Sequence, residues 1–233
     1  MLPNLNMPEF SLELPSSGET IFYRPFLVKE EKMLLMALEG DKKEEIDNIL
    51  IQVLKNCVVY DGDIEELPFV DLEYIFVNLR AKSIDNIINL KVKHQNNSEC
   101  THSTDYQINL NDVTVEDMNK DRKVMLTDNV GTMMKYPTLK ATSFLSNQSS
   151  TIDNIFLSVA ACIDYIFDSD DVYENAPIEE KISFVENLNK TQFEKIMKFM
   201  QSIPTVSYTI KYTCQACNKD EEIKLKGIQN FFV

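Results

Sequence analysis

Two cysteines three positions apart, Cys214 and Cys217, stand in the tight stretch Cys214-Gln215-Ala216-Cys217-Asn218 between two alternating runs. That spacing lets two thiolates grip one zinc ion from a knuckle turn, and Asn218 suits the left-handed backbone such a turn wants. One pair is half of a tetrahedral site. The other half can come from Cys100 and His102, or from His94, at the polar tip of an earlier hairpin, provided the fold brings the two tips together. The plainer reading is a remnant or unoccupied knuckle. A redox Cys-x-x-C is disfavoured, because the pair lies between strands and does not open a helix.

Other side chains with chemical potential group less well. Asp168, Asp170 and Asp171 resemble calcium ligands, but an EF-hand loop needs a glycine at its sixth position and a glutamate at its twelfth, and neither falls correctly. They read as a solvated acidic loop. His94 and His102 are the only histidines, and neither stands in a recognisable pattern with a serine, cysteine or carboxylate, so hydrolase chemistry finds no footing. The adjacent carboxylates Glu65-Glu66 and Glu179-Glu180 fall at helix starts, where the helix dipole explains them. The residues therefore point away from an enzyme.

The totals narrow the partners. Lys plus Arg number 23 against 37 Asp plus Glu, a net charge of −14, which repels a phosphate backbone; direct nucleic-acid binding is not expected. The apolar runs fall well short of the ~20 residues that span a bilayer, and the N-terminus lacks the basic start and apolar core of a signal segment. No membrane role is expected. Five cysteines, an odd number over 233 residues, read as reduced thiols, and 44% apolar residues suffice for a core without staples.

Positioning falls to helices and hairpins, making this an α+β chain of amphipathic helices packed with several antiparallel β-hairpins, the last one knuckle-like. Residues 1–22 alternate weakly around Pro15-Ser16-Ser17-Gly18, suggesting a hairpin arm. Tyr23 to Glu39 then predicts a helix with a broad apolar side, Leu27, Val28, Leu34, Leu35, Met36 and Leu38, opened by Glu30 and Glu31. Asp41 with Glu44 makes a capping box for a helix through Cys57, and a third helix carries Leu72, Ile75, Phe76 and Leu79. Alternation from Ile88 to Leu110 predicts a hairpin with a long polar tip, and Lys123 to Tyr136 a second one. Ile152, Ile155, Phe156, Val159, Ile163 and Ile166 read as one helix; Thr191 and Glu194 as the capping box of another. Val206 to Leu225 predicts the closing hairpin. The expected organisation is a hairpin arm (1–22), a helical and hairpin domain (23–140), a linker (141–150) centred on Ser146-Asn147-Gln148-Ser149-Ser150, and a helical and hairpin subdomain (151–233).

Several stretches together resemble a known family. Arg24-Pro25-Phe26-Leu27-Val28-Lys29-Glu30-Glu31-Lys32, Asp71-Leu72-Glu73-Tyr74-Ile75-Phe76 leading to Leu79-Arg80-Ala81-Lys82-Ser83, Phe184-Val185-Glu186-Asn187-Leu188, and Tyr212-Thr213-Cys214 with the closing Phe231-Phe232 are similar to the T4-type bacteriophage baseplate proteins. The resemblance implies a baseplate hub subunit, or an assembly factor for the hub, in a contractile-tailed phage. It implies hub or tail proteins as partners, no enzymatic activity, and residence in the host cytoplasm during assembly or in the virion tail. Arg24, Phe26, Phe231 and Phe232 are then the candidate partner contacts. The rival is a zinc-knuckle adaptor that binds a regulatory protein.

Overall fold

The computed structural model describes residues 7–39, 43–93, 100–115, 118, 121–142, 151–227 and 231. Strand β1 (Phe10–Glu13) pairs antiparallel with β2 (Thr20–Tyr23), and Gly18, at φ 73°, takes the left-handed conformation of the turn between them. This hairpin is more than an arm. β2 pairs on its other side with β3 (Val58–Val59), and Leu14, Ile21 and Tyr23 are buried.

Helix α1 (Val28–Glu39) corrects the expectation of one broad buried side. Leu34 and Ala37 face the interior, whereas Val28, Leu35 and Met36 are 80%, 55% and 60% exposed. Six apolar residues crowded into so short a helix cannot share one ~100° stripe, so part of them must face out. α2 (Lys43–Cys57) and α3 (Phe69–Ser83) lie where the periodicity puts them; Asp41 of the expected capping box lies outside the described residues.

Two buried carboxylates pin these elements. Glu30 accepts the Leu27 N–H at 2.9 Å and faces the Arg24 guanidinium at 3.2 Å and the Lys29 ammonium at 3.3 Å. Arg24 also donates to the carbonyls of Pro25 (2.9 Å) and Asn56 (2.8 Å), tying the entry of α1 to the end of α2. Asp71, in the first turn of α3, accepts the Ser16 N–H at 3.0 Å and the Ser16 hydroxyl, fastening the β1–β2 turn to α3. Burial raises the Asp71 pKa, against the pull of both Ser16 bonds.

β4 (Ile87–Lys93) and β5 (Ser103–Asn109) form the expected hairpin. β6 (Thr114–Val115) then pairs with β11 (Val206–Thr213), whose other neighbour is β12 (Asp220–Lys226). Val77 of α3, Ile88 and Val92 of β4, Ile108 of β5, and Ile210 and Ile223 of the closing hairpin share one core with Phe231.

The chain divides into two compact units, Met1–Ile64, Val70–Glu116 and Thr205–Val233 forming one, and Glu65–Phe69 with Asp117–Pro204 the other. The boundaries differ from the linear partition at 141–150. The reason is the β6–β11 pairing, Val206 with Val115 and Ser207 with Thr114, which returns the closing hairpin to the first unit and makes 117–204 an insertion. The expected linker 146–150 lies outside the described residues.

In the second unit, β7 (Lys123–Met125), β8 (Gly131–Met134), β9 (Ile163–Phe167) and β10 (Val172–Tyr173) make an antiparallel sheet in the order β10-β9-β8-β7. Helices α4 (Leu139–Thr142), α5 (Thr151–Ala161), α6 (Ile178–Glu186) and α7 (Lys190–Gln201) complete it. The predicted helix through Ile166 is thus cut at Ala161. Ile163 and Ile166 keep helical spacing, but the β-branched and aromatic run from Ile163 to Phe167 pairs with β8 instead. The capping box of α7 is also two residues earlier than expected, Asn189 exchanging bonds with Gln192.

Glu30 generates a direct test. Burial opposes its charge, but the Leu27 N–H, Arg24 and Lys29 outweigh burial and hold its pKa below the ordinary 4.5. Its ionised form therefore stabilises the fold at neutral pH, and that contribution fades as pH falls below that ordinary value toward the lower folded one. Glu30→Gln should cost about 3 kcal/mol in urea unfolding at pH 7, because Arg24 is left facing a neutral group. The variant's stability should fall less than wild type's on acidification.

Candidate metal centre

The shared core of the first unit brings Cys100, just before β5, to the tip of the closing hairpin. β5 begins at Ser103, three residues after Cys100, and Thr213 pairs with Asp220 across the base of the closing tip. Asn218 adopts φ 52°, the left-handed conformation its side-chain type tolerates, and its N–H donates to the Cys214 carbonyl at 2.8 Å. The Cys214 N–H in turn donates to the Lys219 carbonyl at 2.9 Å. These bonds form the tight turn that carries both thiols, and the Thr213 hydroxyl closes its base on Asp220 at 2.6 Å.

Cys100, Cys214 and Cys217 have their sulphur atoms within 4.8 Å of one another, and the Cys100 and Cys214 sulphurs are 3.9 Å apart. Tetrahedral ligands at ~2.3 Å from a shared zinc ion lie roughly 3.8 Å from each other, so this group has the size of three corners of such a site. Cys214 is buried, while Cys100 and Cys217 are half-buried. The Lys219 N–H donates to Cys217 and favours its thiolate. Desolvation and the bonds and charge shared with Cys214 and Cys100 outweigh it, so the thiol titrates above the ordinary 9.0. A divalent cation reverses that balance, because it attracts the thiolates that otherwise repel one another. Three sulphurs grouped at this spacing are suited to holding a metal ion.

Of the four residues expected as metal ligands, the structure groups Cys100, Cys214 and Cys217. His102 is exposed and does not join the thiol group; His94 lies outside the described residues. The proposed partner contacts fare differently. Phe26 and Phe231 are interior side chains, 7% and 0% exposed, the former also held by its N–H donating to the Ser83 hydroxyl at 2.9 Å. They cannot serve as surface anchors, because their apolar area is already removed from water by their own chain. Arg24 directs its guanidinium to Glu30 and two carbonyls, and Phe232 lies outside the described residues. What sequence reading missed is an exposed apolar set: Val28, Leu35 and Met36 of α1, and the cross-strand pair Phe22 and Val59.

The thiols should separate by reactivity. Burial pushes the Cys57 pKa up to about 11 and that of Cys162 to about 12, which leaves almost no thiolate at pH 8. In chelator-treated protein, an aromatic disulfide reagent should label Cys100 and Cys217 in the folded chain. Replacing Cys57 and Cys162 with serine should leave that titre unchanged, and labelling of either should begin only with unfolding.

A family model described as the T4 bacteriophage base plate protein matches residues 7–233, nearly the whole chain. No curated protein and no solved structure matches it. Among the described residues no helix is long and apolar enough to cross a membrane. A match of this extent takes in both compact units and the cysteine-bearing hairpin together, and the chain belongs to the family of T4-type bacteriophage base plate proteins.

Proposed function

We propose that this protein is a non-enzymatic component or assembly factor of a contractile-tailed phage baseplate hub, working through contacts with other hub or tail proteins. The observation that carries the reading is the family match over residues 7–233. Surface chemistry supports it. Val28, Leu35 and Met36 expose apolar area on α1, and the facing pair Phe22 and Val59 exposes more on the first sheet, a composition suited to adaptable protein contact. The protein assembles in the host cytoplasm and enters, or prepares, the virion tail. Affinity capture of the tagged full chain from infected cells should recover hub or tail proteins, and Leu35→Asp with Met36→Asp should reduce recovery. Failure of the wild-type chain to recover any tail protein, or discovery of a turnover abolished by a point mutation, would sink the reading.

Within that role we infer that Cys100, Cys214 and Cys217 hold a structural zinc ion. Bound zinc would join the start of β5 to the closing hairpin through three thiolates, stabilising a pairing that already shares a core. Metal analysis of protein purified without chelator should give about one zinc per chain, and Cys217→Ser should remove most of it. His102→Ala should retain the metal. Zinc at ~1,000 times its Kd contributes about 4 kcal/mol, so removal should lower the melting temperature of the unit that carries the site by roughly 10 °C. Zinc-free protein with unchanged stability on chelation would refute the inference.

A further inference from the structure

The second unit carries an open hollow of about 520 Å³, lined mainly by Val130, Ile166, Phe167, Tyr173, Ala176 and Phe184. Its floor is apolar and its rim is not. Asp168 and Glu180 line it, and Asp170, Asp171, Glu174 and Glu179 are exposed in the same two loops and helix start. Asp168 is held in place before anything binds: it accepts the N–H groups of Asp170 (2.9 Å) and Asp171 (2.8 Å) and the Tyr173 hydroxyl at 3.1 Å. Two neighbouring cations already have partners. Lys181 donates to the carbonyls of Ile163 and Asp164 at 2.9 and 3.0 Å, and Lys123 lies over the Phe167 ring. Beside the hollow, β10 is the terminal strand of its sheet, and its Val172 and Tyr173 are 57% and 47% exposed.

We propose that this hollow receives a short basic segment of a partner protein, one large apolar side chain entering the floor while flanking Lys or Arg residues meet the Asp168 and Glu180 carboxylates. Charge complementarity selects this occupant. A second copy of this chain would bring a net charge of −14 against an acidic rim, and a nucleic acid would bring phosphates. An extended segment can also hydrogen-bond along the terminal strand β10, which gives affinity that an isolated side chain lacks. The proposal rests on the protein-contact reading above and adds to it the surface and the partner's chemistry.

The test uses the full chain and rhodamine-labelled hexapeptides with Leu-Phe, Ile-Phe or Leu-Trp centres, each flanked on both sides by Lys-Arg. Fluorescence anisotropy should show saturable binding that weakens with salt. Affinity should fall about ten-fold in Asp168→Asn with Glu180→Gln, which removes two rim charges without touching the core. Ala176→Trp, which fills the hollow from a loop, should abolish binding, and amide shifts in wild type should map to residues 166–184. Absence of binding by every basic peptide, equal binding of Glu-flanked versions, or shifts elsewhere would overturn the proposal. So would a dimer in sedimentation that Ala176→Trp dissolves, since it assigns the hollow to a second copy. In capture from infected cells, hub recovery undiminished by Ala176→Trp overturns the hollow as the contact surface while the baseplate reading stands. No hub recovery by wild type overturns that reading, while peptide binding still reports on the hollow.

Discussion

Ile88 and Ile108 on one hairpin, and Ile210 and Ile223 on another far along the chain, are buried in the same core, and the geometry of the first unit follows from that burial. Successive side chains of a strand point to opposite faces, so Lys91 and Lys211 stay in water while Val92 and Ile210 beside them are buried. A slip of one residue in either hairpin would turn these faces over, and apolar burial therefore fixes the register. With both registers fixed and both hairpins sharing one core, the segment entering β5 meets the closing tip. Cys100 then lies against Cys214 although 114 residues separate them.

Helix α3 is where the chain's distant parts are fastened to this core. Asp71 holds the turn of the first hairpin through Ser16. Two residues later Glu73 accepts the Thr205 hydroxyl at 2.6 Å and the Val206 N–H at 3.1 Å, at the point where the chain re-enters the first unit. Carboxylates serve well here because each can accept several bonds, and a buried backbone N–H needs such an acceptor. Both carboxylates of α3 thus act as connectors between distant segments.

The two units differ in what their surfaces offer. In the first, apolar side chains are exposed on α1 and across Phe22 and Val59; in the second, an apolar hollow is bordered by carboxylates. Baseplate proteins work by contact, and a contact protein needs surface that its own folding leaves unburied. The family relationship and these surfaces are therefore consistent at the level of chemistry.

Much was legible in local pattern. Period-two alternation located the hairpins at 88–110 and 206–225, helical spacing located α2 and α3, and the Cys214/Cys217 interval marked the knuckle, because each depends on neighbours within one turn or one strand. Patterns compatible with two structures were decided elsewhere: Ile163 and Ile166 fit a helix face, but pairing with β8 made them a strand. Whether Phe26 and Phe231 were surface or core was equally beyond local reading, since an apolar residue looks the same in sequence whichever side covers it. Local pattern was enough for most of the helices and hairpins, and composition for the acidic charge and the thiols available for a metal. That Cys100 joins them, that His102 does not, and that residues 117–204 interrupt a unit closed by the last hairpin depend on pairings between segments on opposite sides of the insertion, which no local pattern encodes.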